Sequence, residues 1–232
     1  SSLVLADNVA DPYYQLYDGP TVKLYCTDFE SGDPLTLCWT TGTGDGSPSP
    51  WTWGVPTSGV TDPHAAYSGT HVLALALNGD YKPSQYSWVK TPVIDTGHYS
   101  DVRVQYRRWL AVEDGQFDQA RVIANGQQAW VNSSENAGDN SAHHHIDKEW
   151  RFADVPLSGY FHGHQLQVGW DLKSDGGLEF GGWTIDDVCI VANPNAICGD
   201  GVRTATEQCD DGAANADAPD AARPLLVRAL EL

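Results

Sequence analysis

Trp183–Val191 reads WTIDDVCIV and follows directly on Lys173–Gly182, KSDGGLEFGG. The second stretch is too rich in Gly and Asp to be anything but a loop, so the chain turns there and enters a strand of aromatic and β-branched residues. Thr21–Phe29, TVKLYCTDF, is its counterpart near the other end, with Val22, Leu24, Cys26 and Asp28 on one alternating set. Laid antiparallel, the two strands have a register that sets Cys26 opposite Cys189 and Asp28 opposite Asp187. That register would join a disulfide to an acidic cluster. A second geometry closes Cys26 onto Cys38 across a short loop, leaves Cys189 free and pairs Cys198 with Cys209.

Strand-like runs recur between these ends at intervals that suit a β-sandwich: His71–Leu77, Ser87–Val93, Val102–Trp109, Ala120–Ala124 and Gln165–Trp170. No useful length shows helical periodicity. With 23 Gly, 13 Pro, 9 Trp, 10 Tyr and no Met, the composition favours short strands and tight turns. The expected fold is all-β, a jelly-roll β-sandwich of two antiparallel sheets with a short cysteine-containing C-terminal extension. Residues 1–20, with Asp11-Pro12 and Asp18-Gly19-Pro20, read as a linker or edge segment, and the sandwich is expected over 21–193. Residues 194–212 read as a partial cysteine-rich repeat and 213–232 as a flexible or non-native tail.

Charge and hydropathy exclude several function classes. Thirteen basic residues against 31 acidic ones give a net charge of −18, and nucleic acid would require a basic face to neutralise phosphate. The longest apolar run, His71–Leu77, is strand-sized, well short of the roughly 18 residues of a membrane helix. Ser1–Ala10 lacks a secretion-signal pattern, so the sequence is expected to begin partway through a longer protein. Five cysteines without a C-x-x-C pair argue for disulfides in a secreted or cell-surface protein rather than for structural zinc. The odd count fits a truncated cysteine-rich repeat.

The stretches YCTDFESG, LCW, WTWGVP, DPHAAYSGTHVL, SWVKTPVID and GLEFGGWTIDDVCIV together resemble the jelly-roll domains of the MAM and immune-inhibitor-A-like type over residues 25–192. The resemblance implies a non-catalytic β-sandwich module of a secreted multidomain protein, in bacteria frequently next to a secreted peptidase. It also favours a Cys26–Cys38 disulfide. In jelly rolls with an N-terminal Phe-Glu and a C-terminal Asp-Asp-Val/Ile, the acidic residues hold structural calcium. Carried over by position, the ligands would be Glu30 and Asp187, with Asp28 and Asp186 as candidates and carbonyls near Tyr67–Thr70 completing the shell. Paired terminal strands would bring these carboxylates into one cluster, which repels itself without a cation. Separately, CGDGVRTATEQCDDG resembles one unit of a cysteine-rich repeat of myxobacterial surface proteins.

Other constellations carry less. Neighbours on a strand point to opposite faces, so His143, His144 and His145 cannot all converge on zinc, and a hydrated loop is the simpler reading. No HExxH and no G-x-S-x-G is present. Glu113, Asp114 and Asp118 could serve as a glycosidase carboxylate pair or a second ion site, yet an Asp-Gly turn joining Val102–Trp109 to Ala120–Ala124 as hairpin arms explains them more simply. Trp39, Trp88, Trp109, Trp170 and Trp183 are expected to fill the core. Trp51, Trp53, Trp130 and Trp150 lie in loop-like surroundings and are the candidates for a carbohydrate platform or for caps folded onto the sandwich.

The expected function is that of a non-catalytic, calcium-stabilised extracellular accessory or adhesion domain, whose partners are other domains of its parent protein. The alternative is a carbohydrate-binding module using the loop tryptophans, with a polysaccharide or cell-surface protein as partner.

Overall fold

A computed structural model describes residues 21–57, 59–97, 99, 101–133, 143–160 and 163–193. The segments read as linker, cysteine-rich repeat and tail, with Cys198 and Cys209, lie outside the described residues. The described chain is an all-β sandwich. One sheet holds β1 (Val22–Thr27), β3 (Trp51–Gly54), β4 (Val72–Leu75), β7 (Asp101–Val112), β10 (His145–Ile146), β11 (Arg151–Pro156) and β14 (Gly182–Asn193). The other runs β2 (Thr40–Thr43), β5 (Tyr86–Lys90), β13 (Val168–Lys173), β8 (Gln119–Ala124), β9 (Gln127–Val131). A two-stranded pair joins β6 (Ile94–Asp95) to β12 (Gln165–Leu166). A single helical turn, α1 (Pro34–Leu37), starts at Asp33, whose side chain accepts from the Leu35 amide at 2.9 Å.

The long strands β7 and β14 form the spine, paired antiparallel from Gly182 opposite Ala111 to Asn193 opposite Asp101. The far edge of β14 is shared. Strand β4 pairs at Thr184 and Ile185, and β1 pairs from Val188 to Ala192. The changeover falls at Asp186–Asp187, where β14 bulges against β7 and Asp187 takes a φ of 48°. Trp170 sits at the centre of the core, stacked on Trp39 at 5.8 Å and edge-on to Tyr106 at 5.2 Å. Val122 and Val89 flank it in register on either side.

The register Cys26 opposite Cys189 is observed, and those two residues are bonded across 163 positions of sequence. The Cys26–Cys38 pairing is therefore corrected: Cys38 is free and exposed at the C-cap of α1, while the β1–β14 ladder sets Cys26 and Cys189 side by side. The expected hairpin is also corrected. Strand β7 pairs with β14 and β11, whereas β8 pairs with β13 and β9, so Glu113–Asp118 crosses from one sheet to the other. A turn signal marks where the chain reverses but does not choose the partner. The Gly/Ser/Pro-rich stretch from Thr40 contributes the strands β2 and β3.

Candidate functional site

The terminal-strand carboxylates gather around the segment that leads into β4. At the changeover on β14 the ladder leaves an opening, and the amides of Tyr67 and Ser68 enter it, donating to Asp186 Oδ2 at 2.9 and 3.1 Å. The Asp187 amide donates to Asp186 Oδ1 at 2.8 Å, and the Ser68 hydroxyl to Asp187 Oδ1 at 2.7 Å. Glu30 Oε1 accepts from the amides of Thr70 and His71 at 2.9 and 2.6 Å, and its Oε2 from the Thr70 hydroxyl at 3.0 Å. Asp28 is exposed and accepts from the Glu30 amide at 3.1 Å. The segment expected to offer carbonyls to a cation thus presents N–H groups to the carboxylates. The amides of Thr70 and His71 draw Glu30 down to about 2, whereas burial pushes Asp186 up to about 6 against the pull of its own amide donors. The β1–β14 ladder stops at Thr27 opposite Val188, one residue before Asp28 would meet Asp187.

The tryptophans divide differently from the expectation. Trp51 is 2% exposed and belongs to the core, because β3 pairs Trp51 with Leu75 on the inward face of the sheet edge. It is withdrawn from the platform. Trp53 caps the same edge, with its indole N–H donating to the Phe29 carbonyl at 2.8 Å and its ring stacked on His71 at 4.2 Å. Trp130 lies on the inner side of β9, edge-on to the buried Trp183 at 5.8 Å. Trp150 retains a surface position on the seven-stranded sheet, edge-on to Trp109 and Tyr67, with its N–H donating to the Ala65 carbonyl at 3.1 Å. The three histidines do not converge: His145 faces Asp147, His144 lies against Phe180, and the His143 amide donates to Asp114.

Trp88, expected in the core, faces outward. On β5, Ser87 and Val89 point inward and Tyr86, Trp88 and Lys90 point away. The indole lies flat over Gly42, where a Cβ would stand 2.6 Å from its ring, and the Lys90 ammonium sits 4.5 Å from the ring centroid. Neighbouring β13 contributes the glycine floor at Gly169 and the buried Asp171, which holds the Arg121 guanidinium at 2.8 Å through both oxygens. The Tyr86 hydroxyl donates to the same carboxylate at 3.1 Å. With Gln128 on β9, these residues line a shallow depression. Planar aromatic surface next to fixed, planar hydrogen-bonding groups is the chemistry that grips a sugar ring. The signal was present in the sequence, because Trp88 shares its alternating set with Lys90.

No family model matches the chain. Bacillopeptidase F of Bacillus subtilis is 30% identical over 146 residues, covering 62% of this chain and 9% of that protein. The chain therefore spans about a tenth of that relative's length. Among solved structures, the K3 cleaved adhesin domain of Lys-gingipain from Porphyromonas gingivalis is 15% identical with a TM-score of 0.47, over 75% of this chain and all of that one. A xylan-binding domain from Paenibacillus barcinonensis is 17% identical with a TM-score of 0.38, over 78% of this chain and all of that one. Among the described residues, no helix is long and apolar enough to cross a membrane.

Proposed function

We propose that the chain is a non-catalytic accessory domain of a larger secreted protein, and that it docks onto polysaccharide through the outer face of its five-stranded sheet. The observation that carries this reading is the Trp88 ring laid flat over Gly42 beside the Arg121–Asp171 pair and Tyr86. The half-buried ring adds planar apolar surface to a face otherwise lined with charged and polar groups, the mixture found in ligand-binding depressions. The Cys26–Cys189 bond supports an oxidising, extracytoplasmic setting. The match to a small part of a much longer peptidase supports a module appended to a bigger chain, with other domains of that chain as partners.

Pull-down on insoluble xylan, cellulose, galactan and chitin tests the reading. Retention on at least one of them is expected to weaken about tenfold or more in Trp88→Ala, the loss of one central aromatic anchor, and to survive in Trp150→Ala. No retention on any, or loss in Trp150→Ala with Trp88→Ala intact, overturns it.

A further inference from the structure

The two crossings between the sheets run side by side. Residues 113–118 connect β7 to β8, and residues 174–181 connect β13 to β14, while β7 pairs with β14 and β8 with β13. Adjacent strands therefore leave both sheets together, and both connections carry acid. Carboxylate oxygens of Glu113, Asp118 and Asp175 lie within 4.8 Å of one another, although 57 residues separate the last two in sequence.

Most of this cluster is held rigidly by the protein. The Tyr81 hydroxyl donates to Asp118 Oδ2 at 2.6 Å, and the Asp175 amide to Asp118 Oδ1 at 2.7 Å. The Asn132 side chain donates to the carbonyls of both Glu113 and Asp118, which fixes the two ends of the first crossing. The Gly177 amide donates to Asp175 Oδ1 at 2.6 Å, and a Cβ on Gly177 would stand 3.3 Å from Glu113 Oε2. One atom is left over. Glu113 is 7% exposed, and its Oε2 is buried in the cluster with no hydrogen-bond partner. A carboxylate oxygen buried in that position is strongly disfavoured unless something positive meets it. The side chain of His144 lies near it, with its own Nδ1 buried and without a partner. Burial, followed by the charges of Asp118 and Asp175, raises the Glu113 carboxyl above its ordinary range.

We propose that Glu113, Asp118 and Asp175 bind one calcium ion that ties the two inter-sheet crossings together. The donor set is oxygen only, which selects a hard cation over zinc or copper. Calcium takes six to eight oxygens in flexible geometry, whereas magnesium demands a near-ideal octahedron and keeps several waters, so an all-oxygen set gathered from two loops suits calcium better. The Leu178 carbonyl, 3.2 Å from the Tyr81 hydroxyl, stands beside the cluster as a further oxygen. Asp175 is exposed, so the ion enters from solvent and a chelator can remove it. This assignment is independent of what the sheet face binds.

The full 232-residue chain, stripped with EDTA and dialysed, is titrated with calcium chloride while ion uptake is followed by calorimetry and stability by thermal melting. One saturable site is expected, with the melting temperature raised by about 5 to 10 °C at a hundredfold excess over Kd. Terbium in place of calcium should emit on excitation of tyrosine, through Tyr81. Glu113→Gln should lose uptake, shift and emission, and Glu30→Gln should keep all three. Where Glu113→Gln fails to fold, the exposed Asp175→Asn replaces it and should weaken uptake at least tenfold. No uptake at millimolar calcium overturns the proposal. So does an equal shift with magnesium, or uptake lost in Glu30→Gln and kept in Glu113→Gln, which places the ion at the terminal strands.

Discussion

At the terminal strands, Asp186 and Glu30 are ringed by peptide N–H groups; at the crossings, one oxygen of Glu113 meets none. Both regions concentrate acid on a chain of strongly negative charge, yet they neutralise it by different means. The bulge at Asp186–Asp187 opens the ladder, and the amides of Tyr67, Ser68, Thr70 and His71, which lie in the segment leading into β4, need acceptors there. Carboxylates are the natural complement there. The crossings instead pack two loops of opposite origin against each other, and their amides are already engaged by Asp118 and Asp175. Acidic residues near a strand end can thus be the answer to unpaired N–H groups or a demand for a cation, and only the count of donors around each oxygen separates the two.

Removing the covalent tie tests the terminal region most severely. Replacing Cys26 and Cys189 by Ser frees a loop of 163 residues, with an expected loss of about 4 to 5 kcal/mol in the chain-entropy account. Thermal melting should fall by roughly 10 to 15 °C, while the calcium response at the crossings persists. Equal melts with and without the bond would show that the terminal strands are held by packing alone.

Asp186→Ala is expected to cost about 2 to 4 kcal/mol, because three amides lose their acceptor in a buried place. The same loss should appear in calcium and in EDTA. A variant that abolished the calcium response would instead make the terminal cluster the ion site and erase the contrast between the two regions.

Acid titration gives the smallest effect. Glu30 has a folded value of about 2 against an ordinary 4.5, so its contribution is whole above 4.5 and fades as the pH falls toward 2. Stability measured by denaturant melts from pH 6 to pH 2.5 should therefore decline less steeply in Glu30→Gln than in the parent. Parallel slopes would mean that the Thr70 and His71 amides do not hold the charged form in solution.

Much of the sandwich was legible. Alternation located β4, β5, β7, β8, β13 and β14 within a few residues, since period-two patterning is a local consequence of the pleat. The pairing of the terminal strands was legible as one of two registers, and the ladder from Val22 to Thr27 adopts the one that joins Cys26 to Cys189. Resemblance pointed to Cys38 instead, and the helical turn at Pro34–Leu37 leaves that thiol exposed. The site was less legible. Trp88 and Trp109 were assigned to the core because they lie in strand-like runs, although each shares its alternating set with a cation, Lys90 and Arg107, and both are half-buried on outer faces. Trp51 shows the reverse, because a Pro/Gly-rich context disguised an edge strand whose first residue turns inward.

What the sequence by itself determined is the class of fold, the positions of most strands, and the residues that alternate together on each. Those properties depend on neighbours two positions apart, and the chain carries them wherever it goes. The tertiary structure decided which alternating set faces inward, which sheet each strand joins, and which distant loops meet. Glu113 and Asp175 come together because β7 pairs with β14 and β8 with β13, and such pairings are settled by closure of the whole sandwich around Trp170 rather than by any local pattern.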